Sequence, residues 1–156
     1  MNVDRINVCL VGANLNTGNL GVSALAVSTM KLVITKWPDA EIYLLGAGYR
    51  PETKLIEINK TSIRINNIPV RYSSNILNSY HIFNLFSKTV KTNLFRNSSM
   101  DFKKDDNLYS IIYRSDYILD ITGGDSFSDI YGLKRFFKSS LLKWLISLNK
   151  KKVVLM

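Results

Sequence analysis

The feature that most constrains the fold is an alternation of strand-length and helix-length apolar runs. Residues 5–11 (Arg-Ile-Asn-Val-Cys-Leu-Val) form a short apolar run that meets Gly12 at once. A polar stretch rich in Gly and Asn fills 12–19. Residues 20–36 have the length of a helix and are apolar on most sides, and Pro38 closes them. Residues 40–46 (Ala-Glu-Ile-Tyr-Leu-Leu-Gly) supply the next strand. Strand, helix and strand in this order make a βαβ unit, because parallel strands need a crossover of this kind.

The alternation continues with gaps. Residues 47–67 are polar and ambiguous between helix, strand and loop. A short third strand is expected at 68–73, with Pro69 placing it at a strand start or a sheet edge. Ile76, Tyr80, Phe83, Phe86, Val90 and Leu94 recur at helical spacing and predict a helix over 76–95. Residues 97–107 read as a loop, 108–115 as a short helix and 116–122 as a strand. Residues 131–149 predict an amphipathic helix with Leu133, Phe136, Phe137, Leu141, Trp144, Leu145 and Leu148 on one face. Residues 151–156 predict a last buried strand. The expectation is an α/β fold, a Rossmann-like parallel sheet of about five strands flanked by helices.

Composition narrows the class. A chain of 156 residues predicts one domain rather than a multi-domain enzyme. With 46% hydrophobic residues it can build a core and is not a disordered tail. One cysteine excludes a disulfide scaffold, and Cys9 within an apolar run reads as a small buried hydrophobe. One histidine, His81, leaves little material for zinc or a Cys/His pair, and it reads as a structural residue. No signal-like N-terminus and no run of membrane-spanning length is visible, so the expected location is cytoplasmic. The chain ends inside its last expected strand, which reads as a truncated product or a fragment.

The formal net charge is +9. Residues 1–78 carry eight Lys/Arg against five Asp/Glu, and residues 79–156 carry thirteen against seven. The bases are dispersed, with Lys150-Lys151-Lys152 the densest run, and no nucleic-acid signature accompanies them, so nucleic acid is not an expected partner. A solvated basic surface explains most of this charge. Anionic substrates, or an anionic membrane met by the 131–149 helix through Lys134, Lys138 and Lys143, are the functional alternatives.

Two loops carry chemistry. Gly12-Ala-Asn-Leu-Asn-Thr-Gly18-Asn-Leu-Gly21 joins the first strand to the first helix. Its glycine spacing fits neither the dinucleotide fingerprint nor the P-loop. It reads as a capped βα turn or as a loop that offers backbone N–H groups to a phosphate or a sugar. Thr122-Gly123-Gly124-Asp125-Ser126-Phe127-Ser128-Asp129-Ile130-Tyr131-Gly132 also lies between a strand and a helix. Its glycines allow close backbone approach, and its Asp and Ser side chains stand where doubly wound sheets bind ligands. Helix capping is the plainer reading of both loops. A metal held by Asp125 and Asp129 is disfavoured, because no histidine is near.

Taken together these segments resemble the polysaccharide pyruvyl transferase family. The resemblance rests on Asn16-Thr17-Gly18-Asn19-Leu20-Gly21-Val22-Ser23-Ala24-Leu25, Pro38-Asp39-Ala40-Glu41-Ile42, Ser115-Asp116-Tyr117-Ile118-Leu119-Asp120, Lys152-Val153-Val154-Leu155 and, most specifically, residues 123–132. It implies one lobe, the N-terminal one, of a two-lobed glycosyltransferase-B-like protein. It implies a transferase of exopolysaccharide biosynthesis that moves a pyruvyl group from phosphoenolpyruvate to sugar hydroxyls of a surface polysaccharide precursor. Phosphoenolpyruvate would be a donor substrate, with no separate cofactor, and the acceptor a sugar or lipid-linked oligosaccharide at the inner face of the membrane.

The implied substrate-binding residues are Asn16, Gly18, Asn19, Gly123, Gly124, Asp125 and Ser126, with Asp125 and Asp129 as weak candidates for a catalytic base. The Gly-Gln-Ser-Ile-Gly-Pro-like loop, the second lobe and the donor-binding Arg and His elements of the family have no counterpart in the sequence, which implies a chain incomplete for activity. Two other readings stay open: a nucleotide-sugar glycosyltransferase lobe, and a non-catalytic membrane-peripheral α/β binding module.

Overall fold

A computed structural model of the chain describes residues 5–13, 15, 20–58, 61–94, 107–122 and 133–156. Its order is β1 (Asn7–Val11), α1 (Leu20–Lys36), β2 (Glu41–Leu45), β3 (Glu52–Ile58), β4 (Thr61–Ile68), α2 (Ile82–Leu94), α3 (Leu108–Arg114), β5 (Tyr117–Asp120), α4 (Leu133–Leu148) and β6 (Val153–Leu155). The fold is α/β with one six-stranded mixed sheet, ordered β3-β4-β2-β1-β5-β6. Two compact units share the chain. One holds Met1–Pro69, Ser115–Thr122 and Val154–Met156; the other holds Val70–Arg114 and Gly123–Val153.

The sheet unit is built around β1, which lies between β2 and β5 and runs parallel to both. Val8, Cys9, Leu10 and Val11 are all buried, as both-face burial of a central parallel strand requires. Cys9 is buried as its sequence setting implies, with Sγ 2.8 Å from Ser115 Oγ. Helix α1 turns Ala26, Thr29, Met30 and Val33 inward at helical spacing. Ala26, Met30 and Val33 join Val8, Leu10, Ile42, Leu44, Ile63 and Ile65 in one core. The helix ends at Lys36, just before Pro38 as expected, and Trp37 between them stacks on Tyr117 with ring centroids 4.6 Å apart. The backbone N–H of Glu41 donates to Ile6 O and starts the β2 pairing.

The sequence reading departs from the sheet in three places. Residues 47–67, ambiguous in the sequence, hold β3 and β4, an antiparallel hairpin with Ile56 opposite Ile63 and Lys54 opposite Ile65. The sheet therefore has six strands and is mixed, not five and parallel. Strand β4 is the third parallel strand, paired with β2 through Ile42↔Ile65 and Leu45↔Ile68. The expected strand at 68–73 lies just beyond it, and there only Arg71 bridges, to His81. Strand β6 sits at the sheet edge with Val154 and Leu155 exposed, so it is not the buried strand expected.

The other unit holds α2, α3 and α4. Helix α2 starts at Ile82, not 76, because asparagines capture the chain first. Asn75 Oδ1 accepts from Leu77 N–H and Asn78 Oδ1 from Tyr80 N–H, the side-chain turns that compete with helix. His81 then caps α2. Its Nδ1 accepts from Phe83 N–H at 3.0 Å while Nε2 donates to Ser73 O at 2.7 Å. Asn107 caps α3 in the same way, its Oδ1 accepting from Ser110 N–H.

Helix α4 buries a different face from the one expected. Leu142, Leu145 and Ile146 are buried. Leu133, Phe137, Leu141, Trp144 and Leu148, five of the seven residues read as its core face, are exposed. Lys138 lies with Nζ 5.2 Å from the Tyr72 ring centroid, and the Lys143 ammonium is buried. Among the described residues no helix is long and apolar enough to cross a membrane.

Candidate functional site

The strand order reverses beside β1: β2 and β4 follow on one side, β5 and β6 on the other. Open α/β sheets bind ligands outside the carboxyl ends of the strands at such a switch point. Both sequence loops leave from here. One departs from the end of β1 and the other from the end of β5, which is paired with β1 through Val11↔Asp120.

The roots of the two loops are fixed to one another. Ile121 N–H donates to Val11 O at 3.0 Å. Gly12 has φ +79°, and a Cβ placed on it would lie 2.5 Å from Thr122 Oγ1 and 2.9 Å from Thr122 Cα. Glycine is therefore required twice, for the left-handed backbone and for the contact. The buried Asp120 carboxylate shapes the second root: Oδ1 accepts from Thr122 N–H at 2.9 Å and from the Thr122 hydroxyl. An Asp that bonds two residues ahead turns a strand into a loop. The sequence signal was Asp120-Ile121-Thr122, and sequence reasoning passed over it in favour of the residues that follow.

Asn16, Gly18, Asn19, Gly123, Gly124, Asp125, Ser126 and Asp129 lie outside the described residues. The described structure thus brings together the strand ends from which their loops depart. His81 is not among these groups; it is spent on its cap. Among the described residues no three His, Cys, Asp or Glu side chains gather as metal ligands.

A second feature of this edge was not singled out in the sequence. An open groove of about 1090 Å³ lies beyond β2 and β4, lined by Leu15, residues 46–52, Lys54, Ile56 and Asn67. Leu15 belongs to the first loop. Leu10, Leu44, Asn67 and Glu52 stand in register across β1, β2, β4 and β3. Where this row would continue the aliphatic core it instead turns polar. Asn67 is 9% exposed, and among the described residues no donor reaches its Oδ1. Gly46 and Gly48 both have positive φ, +87° and +75°, as the chain turns from β2 toward β3. Lys54 Nζ pairs with Glu52 at 3.1 Å.

No protein-family model matches the chain, and no curated protein or solved structure matches it.

Proposed function

We propose that the chain acts as the substrate lobe of a pyruvyl transferase-like enzyme, a glycosyltransferase-B-type lobe that serves surface polysaccharide synthesis at the cytoplasmic face of the membrane. The observation that supports this reading is that both motif loops start from neighbouring strand ends. The Asn-Thr-Gly-Asn loop and the Gly-Gly-Asp-Ser loop leave neighbouring parallel strands at the switch point, their roots locked by Gly12 against Thr122.

The reaction sets the roles. Two sugar hydroxyls add to the enol carbon of phosphoenolpyruvate, its methylene takes a proton to become methyl, and phosphate leaves. A base must accept a hydroxyl proton, which falls to Asp125 or Asp129. Asn16, Asn19 and Ser126 hold sugar hydroxyls, and Gly18, Gly123 and Gly124 let backbone N–H groups approach an anionic oxygen.

The test is titration of the ¹⁵N-labelled full chain with phosphoenolpyruvate, a lipid-linked oligosaccharide, and UDP- and GDP-sugars. The oligosaccharide is expected to shift the amides of Gly12 and Thr122, and Asp125→Asn or Asn19→Ala to weaken its binding about tenfold, the weight of one good hydrogen bond. The same shifts from a nucleotide sugar instead would replace this reading with the glycosyltransferase one. No response at either root to any of the four overturns both.

The membrane-peripheral reading has a different standing. It asks Lys138 and Lys143 to face lipid, and the first lies over Tyr72 while the second is buried. What favours it is the exposed apolar stripe of α4. Co-sedimentation with anionic vesicles that is lost in Phe137→Ser and Trp144→Ser would support it; absence of co-sedimentation would end it.

A further inference from the structure

We infer that the exposed stripe of α4 is a docking seam for an amphipathic helix of another protein, apolar along its middle and acidic at both ends. The inference rests on the helical unit alone and is independent of the pyruvyl-transfer reading.

Spacing says that the occupant is a helix. Leu133, Phe137, Leu141, Trp144 and Leu148 are exposed and follow one another along α4 in steps of four, four, three and four. At about 100° per residue they fill an arc of about 80°. They stand apart from Leu142, Leu145 and Ile146, which the unit buries, so α4 is held without them. A helix laid on a broad apolar surface shows an arc of about 100° or more, whereas the narrower a/d stripe is the seam that receives a second helix. From Phe137 to Leu148 the steps are those of a and d positions. The stripe climbs about 22 Å from its first residue to its last. Phe137 and Trp144 give it large rigid anchors, and aromatic anchors of this kind carry most of the energy where helices and other surfaces meet.

Charge selects which helix. Residues 133–153 carry seven Lys/Arg and no Asp or Glu. The other described residues of the helical unit carry no Asp or Glu either. The cations stand at the two ends of the stripe, with Lys134, Arg135 and Lys138 toward its start and Lys150, Lys151 and Lys152 beyond its last residue. The middle is apolar, and the one cation there, Lys143, has its ammonium buried. A second copy fits this pattern poorly. Both ends are cationic, so two α4 helices would set cations against cations whichever way they ran, and like charges across an interface oppose association. A helix with an apolar middle and carboxylates at both ends meets every part of the stripe.

The test uses the ¹⁵N-labelled full chain and reads its two indole N–H signals, from Trp37 and Trp144. The probe is a capped helical peptide of about three heptads, with Leu at a and d and Glu at e and g of its end heptads. A control peptide carries Lys in place of Glu. The acidic peptide is expected to move the Trp144 signal saturably, to leave Trp37 in place and to bind more weakly as salt rises. The Lys peptide should bind at least about tenfold more weakly. Phe137→Gln and Trp144→Gln, both at exposed positions, should each weaken the acidic peptide on the order of tenfold, the second read from the amides of Leu141 and Leu148. Should one variant fail to fold, the other and the comparison of peptides still decide. Equal binding of the two peptides overturns the inference, as does the absence of a saturable shift at Trp144. Vesicles of anionic lipid that move the Trp144 signal where the acidic peptide does not would give the stripe to a membrane and overturn it. Self-association of the chain in sedimentation, lost in Trp144→Gln, would give the stripe to a second copy and overturn it as well.

Discussion

Each of the two compact units has its own internal chemistry. In the sheet unit the buried side chains are nearly all aliphatic, and Val8, Leu10, Met30, Ile42, Leu44 and Ile65 make one continuous core. Its polar stitches, such as Thr53 to Asn66 to Glu41, lie on the outer strands. The helical unit also buries aliphatic side chains, Leu85, Leu108, Ile112, Leu145 and Ile146 among them, but with a larger polar share in His81, Thr89, Asn107 and Ser110. Large apolar side chains stand exposed on both, Leu32 and Leu55 on the sheet unit and Phe83, Leu94, Phe137 and Trp144 on the helical one. Side-chain hydrogen bonds tie its segments: Tyr72 OH to Lys138 O, Asn149 Nδ2 to Thr89 Oγ1, Tyr109 OH to Thr92 Oγ1, and the His81 cap. A core of aliphatic side chains forgives no loss of volume, whereas a stitched unit depends on individual polar groups. Substitutions of the two kinds should separate accordingly.

The largest effects belong to the sheet unit. Leu10→Ala removes a fully buried side chain from the central strand and should cost about 3–5 kcal/mol in chemical denaturation. Gly12→Ala should cost about 3 kcal/mol, combining a left-handed backbone with a collision against Thr122. Equal stability of Gly12→Ala and the unsubstituted chain would refute the locked loop roots. Trp144→Gln, on the exposed stripe of α4, should change stability by no more than about 0.5 kcal/mol despite the size of the side chain. A large loss there would show that the stripe is covered and would erase the contrast between the units.

Intermediate effects test the stitches. His81→Ala removes both the acceptor for Phe83 N–H and the donor to Ser73 O, and should cost about 1–2 kcal/mol, with His81→Asn recovering part by capping alone. Tyr72 gives the unit a pH signature. Burial pushes its phenol up to about 12 from 10, so the neutral form is favoured in the folded state. Its contribution is complete below pH 10 and is lost as pH rises toward 12. Burial also raises the Tyr109 phenol, in the same direction. Tyr72→Phe should therefore flatten most, but not all, of the alkaline fall in stability measured between pH 9 and 11.5.

The same contrast explains what was legible in the sequence. Strands β1, β2 and β5 and helix α1 announce themselves because burial on both faces demands unbroken apolar runs and a helix that spans a crossover. The β3–β4 hairpin was hidden by its one-sided burial. Ile56, Ile58, Ile63 and Ile65 alternate with Leu55, Glu57, Ser62 and Arg64, and only the first set meets the core. At an edge strand that alternation is diluted by charge, and it resembles a polar loop. The start of α2 was misplaced because periodicity cannot see that Asn75 and Asn78 bond their own backbone. The inward face of α4 was misassigned for a related reason: apolar residues lie on more of the helix than the unit buries, so periodicity alone could not choose. Of the candidate site, the loops were marked in the sequence but not the contacts between their roots. The Asp120–Thr122 turn uses common residues whose role exists only beside Gly12.

A smaller gain makes the comparison within one backbone conformation. Gly12 and Lys150 share a left-handed φ, +79° and +57°. In the sheet unit the position is taken by glycine, and nothing larger fits against Thr122. In the helical unit it falls just after α4, where Lys150 N–H donates to Ser147 O at 2.9 Å as a closing turn, and the side chain is exposed. Helices commonly end with glycine in this conformation, because a Cβ there is strained. Lys150→Gly should therefore stabilise the chain by about 0.5–1 kcal/mol, offset in part by the greater freedom of glycine in the unfolded state. Lys150→Val, β-branched and poorly suited to this backbone, should move stability the other way. If neither substitution registers in denaturant midpoints, the turn after α4 does not hold its left-handed form in solution. The strain that separates Gly12 from its counterpart would then belong to the sheet unit alone.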